Sequence, residues 1–189
     1  MNGPPLQSGF VRSLIFALLV LPGMNTAAES GFANTIEYGN FTVSMGIFDL
    51  SMAPDEIVDA LKEVGLERRV ALVMVTPTSW ATDSADDHAW AIIDIDGIRY
   101  DSIDPFIESA SVEVVVALDE YTRQFIYRSR PRHMFAPNKP NPLLAFFSAD
   151  LPPVESWQRV IFLDFLNGFE VEMHRIESDE PDFEGPLRV

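Results

Sequence analysis

His88 and Asp104 are the two residues of this chain whose types and spacing suit catalytic chemistry. A histidine acts as a general base when an aspartate, bonded to its second ring nitrogen, holds the imidazole in the right tautomer. His88 heads one apolar segment, and Asp104 follows the next one along the chain. In a Cys-His-Asp enzyme such a pair orients and deprotonates a thiol, yet this chain contains no cysteine. The sequence therefore predicts two parts of a catalytic triad without its nucleophile.

Two β-strands and a tight turn are predicted to hold this pair together. We expect strands over 88–95 and 98–103, and Asp96-Gly97 between them is a strong hairpin signal. Neighbours across an antiparallel pair lie close together, so the histidine and the aspartate come within side-chain reach. Asp101 is a competing partner, although the alternation of side chains indicates that it points elsewhere.

The segment before this hairpin predicts a strand, a helix and a second strand. Residues 41–48 are rich in β-branched and aromatic types and favour a strand. A helix is expected from Ser51 to Gly65, because a hydroxyl, a proline and two acids stand at its start. Residues 69–76 are almost continuously apolar, which is typical of a strand covered on both faces.

The second half of the chain is less regular. Residues 112–128 fit either a strand leading into a helix or a single helix, and 130–142 read as an irregular crossing with four prolines. An amphipathic period predicts a helix over 153–167, and clean alternation predicts a strand over 169–176. The elements together predict one α+β domain, a mostly antiparallel sheet with packed helices.

The motifs around the His–Asp pair resemble those of a known family. They are His88-Ala89-Trp90, an apolar strand, Asp96-Gly97, Tyr100 and Asp104-Pro105. With the preceding helix–glycine–strand unit, they resemble the His–Asp half of the transglutaminase-like, papain-related superfamily over roughly 51–105, less than a third of the chain. The resemblance implies a nucleophile at the start of the helix, and the histidine and aspartate on the sheet. Related peptidases and arylamine acetyltransferases share this arrangement, so the subfamily stays open.

The position of the family's cysteine departs from the pattern. It would fall within 48–51, where Ser51 is the only hydroxyl-bearing residue. Serine is a preferred helix cap, and its hydroxyl is far harder to deprotonate than a thiol. Capping is therefore the favoured role of Ser51, and that of a nucleophile is the alternative. Ser44, within a predicted strand, is a poorer candidate.

Charge and residue types limit the partners of this protein. The formal net charge is −16, from 29 acidic and 13 basic residues, and such a surface repels nucleic acid and anionic membranes. Asp83, Asp86, Asp87 and His88 could hold a hard cation, but calcium-loop spacing is missing and a solvated acidic loop is favoured. There is no glycine-rich phosphate loop and no zinc-ligand spacing. We therefore expect no cofactor and no metal.

The first residues predict export from the cytoplasm to the periplasm or beyond. A signal peptide over 1–28 combines Arg12, an apolar run over 14–21 and small residues before the cleavage point. A membrane span needs about 20 apolar residues, so we expect no stable membrane anchor. The alternative is a buried N-terminal helix. The mature protein would be a single domain over 29–176, followed by an acidic, disordered tail over 177–189.

The leading hypothesis is an exported, transglutaminase-like protein that has lost its nucleophile. It would act without catalysis, as a domain that binds a peptide or protein in the cleft beside the His–Asp strands. One alternative is an active amide hydrolase or acyltransferase, with Ser51 as nucleophile, His88 as base and Asp104 as its orienter. Another is a structural envelope protein in which the motif is coincidental. The sequence predicts no oligomeric state.

Overall fold

A computed structural model describes residues 31–83, 88–104 and 133–176 of the 189-residue chain. Within these residues the chain forms ten β-strands and one α-helix. The strands are β1 (Gly31–Tyr38), β2 (Phe41–Phe48), β3 (Val70–Pro77), β4 (Ala81–Asp83), β5 (His88–Asp94), β6 (Arg99–Ile103), β7 (His133–Phe135), β8 (Asn141–Phe147), β9 (Trp157–Asp164) and β10 (Phe169–Arg175), and the helix is α1 (Asp55–Glu63).

Eight of the strands form a closed barrel in the order β1-β10-β9-β5-β6-β8-β3-β2, and every pair of neighbours is antiparallel. Strands β4 and β7 form a separate two-stranded sheet. We call the end where β1 finishes and β5 begins the upper end, and the opposite end the lower end. The prediction of an α+β fold with packed helices is wrong, because the described residues are mostly β with one helix. The resemblance to the transglutaminase-like, papain-related superfamily is wrong for the same reason.

The barrel consists of two four-stranded sheets joined at two seams. One sheet contains β1, β2, β3 and β8, and the other contains β6, β5, β9 and β10. Each seam is paired at only two positions, which join the lower ends of both strands at the β1–β10 seam and the upper end of β6 to the lower end of β8 at the other seam. These pairs are Phe32↔Arg175 and Ala33↔His174 at the β1–β10 seam, and Ser102↔Phe147 and Ile103↔Phe146 at the β6–β8 seam.

Large apolar side chains fill the interior of the barrel. Alternate residues of each strand point inward, and the fully buried ones include Trp90 and Phe147. At the lower end, the rings of Phe32 and Trp157 stack with their centroids 6.4 Å apart. The Arg175 guanidinium lies 4.7 Å over the Phe32 ring and donates a hydrogen bond to the Trp157 carbonyl. Aromatic packing and one arginine thus close this end.

A second apolar cluster lies on the outer surface of the barrel. Ile57 and Leu61 of α1 are fully buried there, against outward-facing residues of β3 and β8. The Phe48 ring belongs to this cluster and lies across the backbone of Gly31 and Gly46. The ring is so close that a Cβ on Gly46 would be 2.7 Å from it. Glycine is therefore needed at Gly46 for the phenylalanine to pack flat against the strands.

The strands and the helix predicted before residue 104 are present, and so is the strand predicted over 169–176, but two other later predictions are wrong. Strands lie at 41–48, 70–77, 88–94, 99–103 and 169–175, and the predicted helix is α1. The predicted helix over 153–167 is instead a short 3₁₀ turn followed by β9, and the predicted crossing over 130–142 contains β7 and the start of β8. The segment 112–128, the signal peptide and the acidic tail lie outside the described residues. None of the described helices is long and apolar enough to cross a membrane.

Candidate functional site

His88 lies at the upper end of the barrel and points into it. It is the first residue of β5 and shares the inward face of that strand with Trp90 and Ile92. The side chain is buried, and its ring centroid lies 5.3 Å from that of Phe162. The residue opposite His88 on the neighbouring strand β9 is Asp164. A buried imidazole therefore faces a carboxylate that the sequence analysis did not single out.

Asp164 is the centre of a polar group that we call the upper cluster, in which Tyr38 and Asn167 are hydrogen-bonded to Asp164 and His88 faces it from the neighbouring strand. The Tyr38 hydroxyl donates to Asp164 Oδ2 over 2.8 Å. The Asn167 side-chain amide donates to the same oxygen over 2.9 Å, and the Asn167 backbone N–H donates to Oδ1 over 2.8 Å. Burial alone would raise the pKa of Asp164, but the bonds from Asn167 and Tyr38 and the nearby His88 outweigh it and lower the pKa. The carboxylate is thus held in its charged form.

Asp104 directly follows β6 at the same end. Pairing between β5 and β6 runs from Ile93↔Arg99 to Ala91↔Asp101, and the same register continued upward would bring Asp104 level with His88. Above the last of these pairs, the two strands are joined through a side chain. The Ser102 hydroxyl accepts a hydrogen bond from the Trp90 backbone N–H over 2.8 Å. A joint role of His88 and Asp104 stays a prediction.

The other residues of the predicted site lie elsewhere. Asp101 is exposed and accepts a hydrogen bond from Arg99 over 2.8 Å. Ser51 lies just beyond the lower end of β2, whereas His88 is at the upper end of the barrel, so the structure does not bring the two together. Ser51 does not cap α1 either. It belongs to a separate 3₁₀ turn, where its N–H donates to Asp49, and α1 starts after Pro54.

Asp164 and Asn167 were missed because the period of the segment predicted a helix. Their signal is nevertheless present, since an aspartate followed three residues later by Asn-Gly favours a turn closed by the aspartate side chain. Gly168 has a φ of +69°, which is the left-handed conformation that glycine adopts without strain. The sequence from Asp164 to Gly168 is therefore a tight connection between β9 and β10, which we call the upper turn.

The upper turn carries two exposed apolar side chains. Phe165 is 57% and Leu166 73% exposed, although both are large and hydrophobic. The residues on either side of them, Asp164 and Asn167, are bonded to each other and through Asp164 to Tyr38. The turn thus presents apolar side chains to solvent from a backbone that the upper cluster fixes.

A matching arrangement stands at the lower end. Asp94 accepts the backbone N–H groups of Asp96 and Ile98 over 3.0 and 2.8 Å, and the Tyr100 hydroxyl over 3.1 Å. Burial, followed by the bond to Asp94 and the negative charges nearby, raises the pKa of Tyr100. The turn that Asp94 holds exposes Ile95 and Ile98. We call it the lower turn.

Trp90 contributes a buried donor to the interior near the upper cluster. Its indole N–H has no hydrogen-bond acceptor among the residues that the structure describes. The ring packs against Phe162 with centroids 5.1 Å apart. Since indole nitrogen can only donate, this group is suited to an acceptor such as a buried water.

Metal ligands and known relatives give no further indication of chemistry. Within 31–83, 88–104 and 133–176, no group of three or more His, Cys, Asp or Glu side chains could hold a metal ion. No protein-family model, no curated protein and no solved structure matches this chain.

Proposed function

We propose that this protein is a non-catalytic domain that binds a peptide or protein partner at the upper end of its barrel. One observation carries the proposal, namely the upper turn with Phe165 and Leu166 exposed side by side. Exposed aromatic and aliphatic side chains are typical anchors of protein interfaces, where burial supplies most of the binding energy. Isolated exposed apolar residues are common, but two adjacent ones on a fixed turn are suited to a partner's pocket.

The hydrogen bonds of Asp164 support this proposal through conformational entropy. A mobile loop must be ordered when it binds, and each immobilised side chain costs roughly 0.5–1.5 kcal/mol. The upper turn is already ordered by three bonds to the Asp164 carboxylate. Less free energy is therefore lost on association, and more of the apolar burial remains as affinity.

The enzymatic alternative lacks comparable support. Acyl transfer needs a nucleophile within hydrogen-bond reach of its base. The candidate Ser51 is at the other end of the barrel from His88, and the hydroxyl that joins the upper cluster, that of Tyr38, donates to Asp164. Amide hydrolysis by the purified protein that is abolished by His88→Ala would contradict a non-catalytic role.

The proposal is tested by selecting ligands and removing the anchors. A phage-displayed peptide library is panned on the purified protein, and the dissociation constants of the selected peptides are measured by fluorescence anisotropy. We expect the double variant Phe165→Ser/Leu166→Ser to bind them about tenfold or more weakly, because two anchors are lost.

The lower turn supplies a matched control. The double variant Ile95→Ser/Ile98→Ser also removes two exposed apolar side chains from a turn that a buried aspartate holds. It should bind the selected peptides as tightly as the unmodified protein. A library that yields no ligand, or equal losses in the two double variants, would contradict binding at the upper turn.

A further inference from the structure

The seam between β1 and β10 is paired over only part of its length. The two strands have eight and seven residues, yet they pair at only two positions, Phe32↔Arg175 and Ala33↔His174. The same register continued upward would bring 34–38 level with 169–173. On their other sides, β1 pairs with β2 over its whole length and β10 pairs with β9 from Phe169 to Met173. The upper half of the seam therefore has two strand edges that face each other without a ladder.

A side-chain amide takes the place of the missing ladder at one point. Asn34 Nδ2 donates to the Glu172 backbone carbonyl over 2.9 Å, and Asn34 Oδ1 accepts the Thr35 backbone N–H over 2.7 Å. A carboxamide has the same donor and acceptor as a peptide group. Asn34 thus bonds both strand edges as a peptide group of an intervening strand would.

Above Asn34 the seam is bridged by side chains. The ring centroids of Tyr38 and Phe169 lie 5.9 Å apart, and both side chains are only partly buried. Val171, on the same face of β10 as Phe169, is also partly buried. Apolar groups therefore line the inner side of this upper half, next to the upper turn.

The outer side of the same seam is acidic. Glu37 on β1 and Glu170 and Glu172 on β10 are exposed on its two borders. Arg159 forms two hydrogen bonds with Glu172, and these bonds hold the pKa of Glu172 below its usual value. Arg159 thus compensates one of the three charges. Glu37 and Glu170 leave a negative border on a protein that is itself strongly negative.

We infer that the upper half of the β1–β10 seam is a strand-addition site for an extended peptide whose apolar and basic residues alternate. Its backbone would bond the edges that Asn34 bridges lower down, as peptides do when they add to open sheet edges. Its apolar side chains would turn inward toward Phe169 and Val171, and its basic side chains outward toward Glu37 and Glu170. This inference rests on the proposed function and names the kind of partner that the upper end takes.

A designed peptide tests the inference directly. The probe is a short fluorescein-labelled peptide of alternating lysine and valine, and its binding is measured by anisotropy. We expect it to bind about tenfold more tightly than a peptide of the same composition with its lysines and valines in separate blocks. Hydrogen exchange should slow at backbone amides within 169–172 when the alternating peptide is present, because they acquire partners.

Charge variants separate the seam from general attraction to an acidic protein. Glu37→Gln/Glu170→Gln should weaken binding of the alternating peptide by about tenfold at low salt. Glu56→Gln/Glu63→Gln removes two exposed charges from α1 and should leave binding unchanged. Equal losses in the two double variants, or equal affinities for alternating and block peptides, would overturn the inference.

The outcomes also separate this inference from the proposed function. Library-selected peptides that depend on Phe165 and Leu166 but protect no amide within 169–172 would overturn strand addition and leave binding at the upper turn intact. A second copy of the chain is the other possible occupant of an open edge. If the protein alone forms dimers that already protect 169–172, the edge serves self-association and the inference is wrong.

Discussion

The carboxylate of Asp164 connects the interior of the barrel to its surface. It faces His88 across two strands and accepts the hydrogen bonds that fix the upper turn. Removing a hydrogen-bond acceptor from a buried group leaves its donors unsatisfied, and this costs more than the bond itself contributes. The exposed anchors of the proposed binding surface therefore depend on a residue that no partner would touch.

The charge of Asp164 predicts how stability depends on pH. Because folding lowers its pKa below the ordinary value of 3.8, the stability from its ionised form is fully present above that value and is lost as the pH falls through the folded pKa. Asp164→Asn should lower the free energy of unfolding by about 1–3 kcal/mol at neutral pH. In urea titrations this difference should shrink at acidic pH.

Asp101→Asn is the control for this prediction. Asp101 is an exposed carboxylate bonded to Arg99, and its loss should change the unfolding free energy by less than about 0.5 kcal/mol. A difference between the Asp164→Asn variant and the unmodified protein that is the same at neutral and acidic pH would mean that shape, and not charge, makes Asp164 important.

For single residues, the sequence indicated His88 and its place at the head of a strand, but it did not indicate the carboxylate opposite His88. The hairpin made Asp104 the visible partner, because only strands adjacent in sequence can be paired by inspection. Asp164 follows His88 by 76 residues (164 − 88) and lies on β9, which pairs with β5 only in the closed barrel. No local pattern contains that pairing.

Among the elements, β9 shows why a strand can resemble a helix in sequence. Opposite Ile93 and Asp94 the register shifts by one, from Ile93↔Arg159 to Asp94↔Trp157, so Gln158 is an extra residue in β9. This bulge breaks the alternation of inward and outward side chains. The apolar residues on either side of it then repeat at three- and four-residue intervals, which is the helical period. The strands predicted between 41 and 103 contain no extra residue of this kind, and the structure contains each of them, although it also contains β1 and β4, which were not predicted.

The packing of Phe48 over the outer surface gives a prediction for an element. Gly46→Ala places a Cβ 2.7 Å from the Phe48 ring, and displacing that ring should destabilise the protein by about 1–3 kcal/mol. Chemical denaturation measures the change. Ser44→Ala, on the same strand and the same face, is the control; it removes one exposed hydrogen bond with the Thr35 hydroxyl and should change the unfolding free energy by only about 0.5 kcal/mol. A Gly46→Ala variant as stable as the control would show that the ring is free to move.

For the whole molecule, the net charge of −16 predicts a dependence on salt. Like charges repel one another more strongly in the compact state, and salt screens this repulsion. The thermal midpoint, followed by circular dichroism, should rise between about 10 and about 150 mM sodium chloride, where the Debye length falls from about 30 to about 8 Å. An increase that continues in proportion to salt at higher concentrations would instead indicate cosolute exclusion.

The order of strands also has a kinetic consequence. The chain forms β1, β2 and β3, then β5 and β6 of the other sheet, and only afterwards returns with β8, β9 and β10. Neither sheet is complete until residues far downstream have been placed, and four of the eight strand pairs of the barrel, namely β3–β8, β5–β9, β6–β8 and β1–β10, close long loops. Such topologies fold slowly, in milliseconds to seconds, with strand edges open to wrong partners in the meantime. We therefore expect misfolding and aggregation of this chain to begin at β3 and β5, because each leaves the edge of a long ladder open until β8 or β9 follows far downstream.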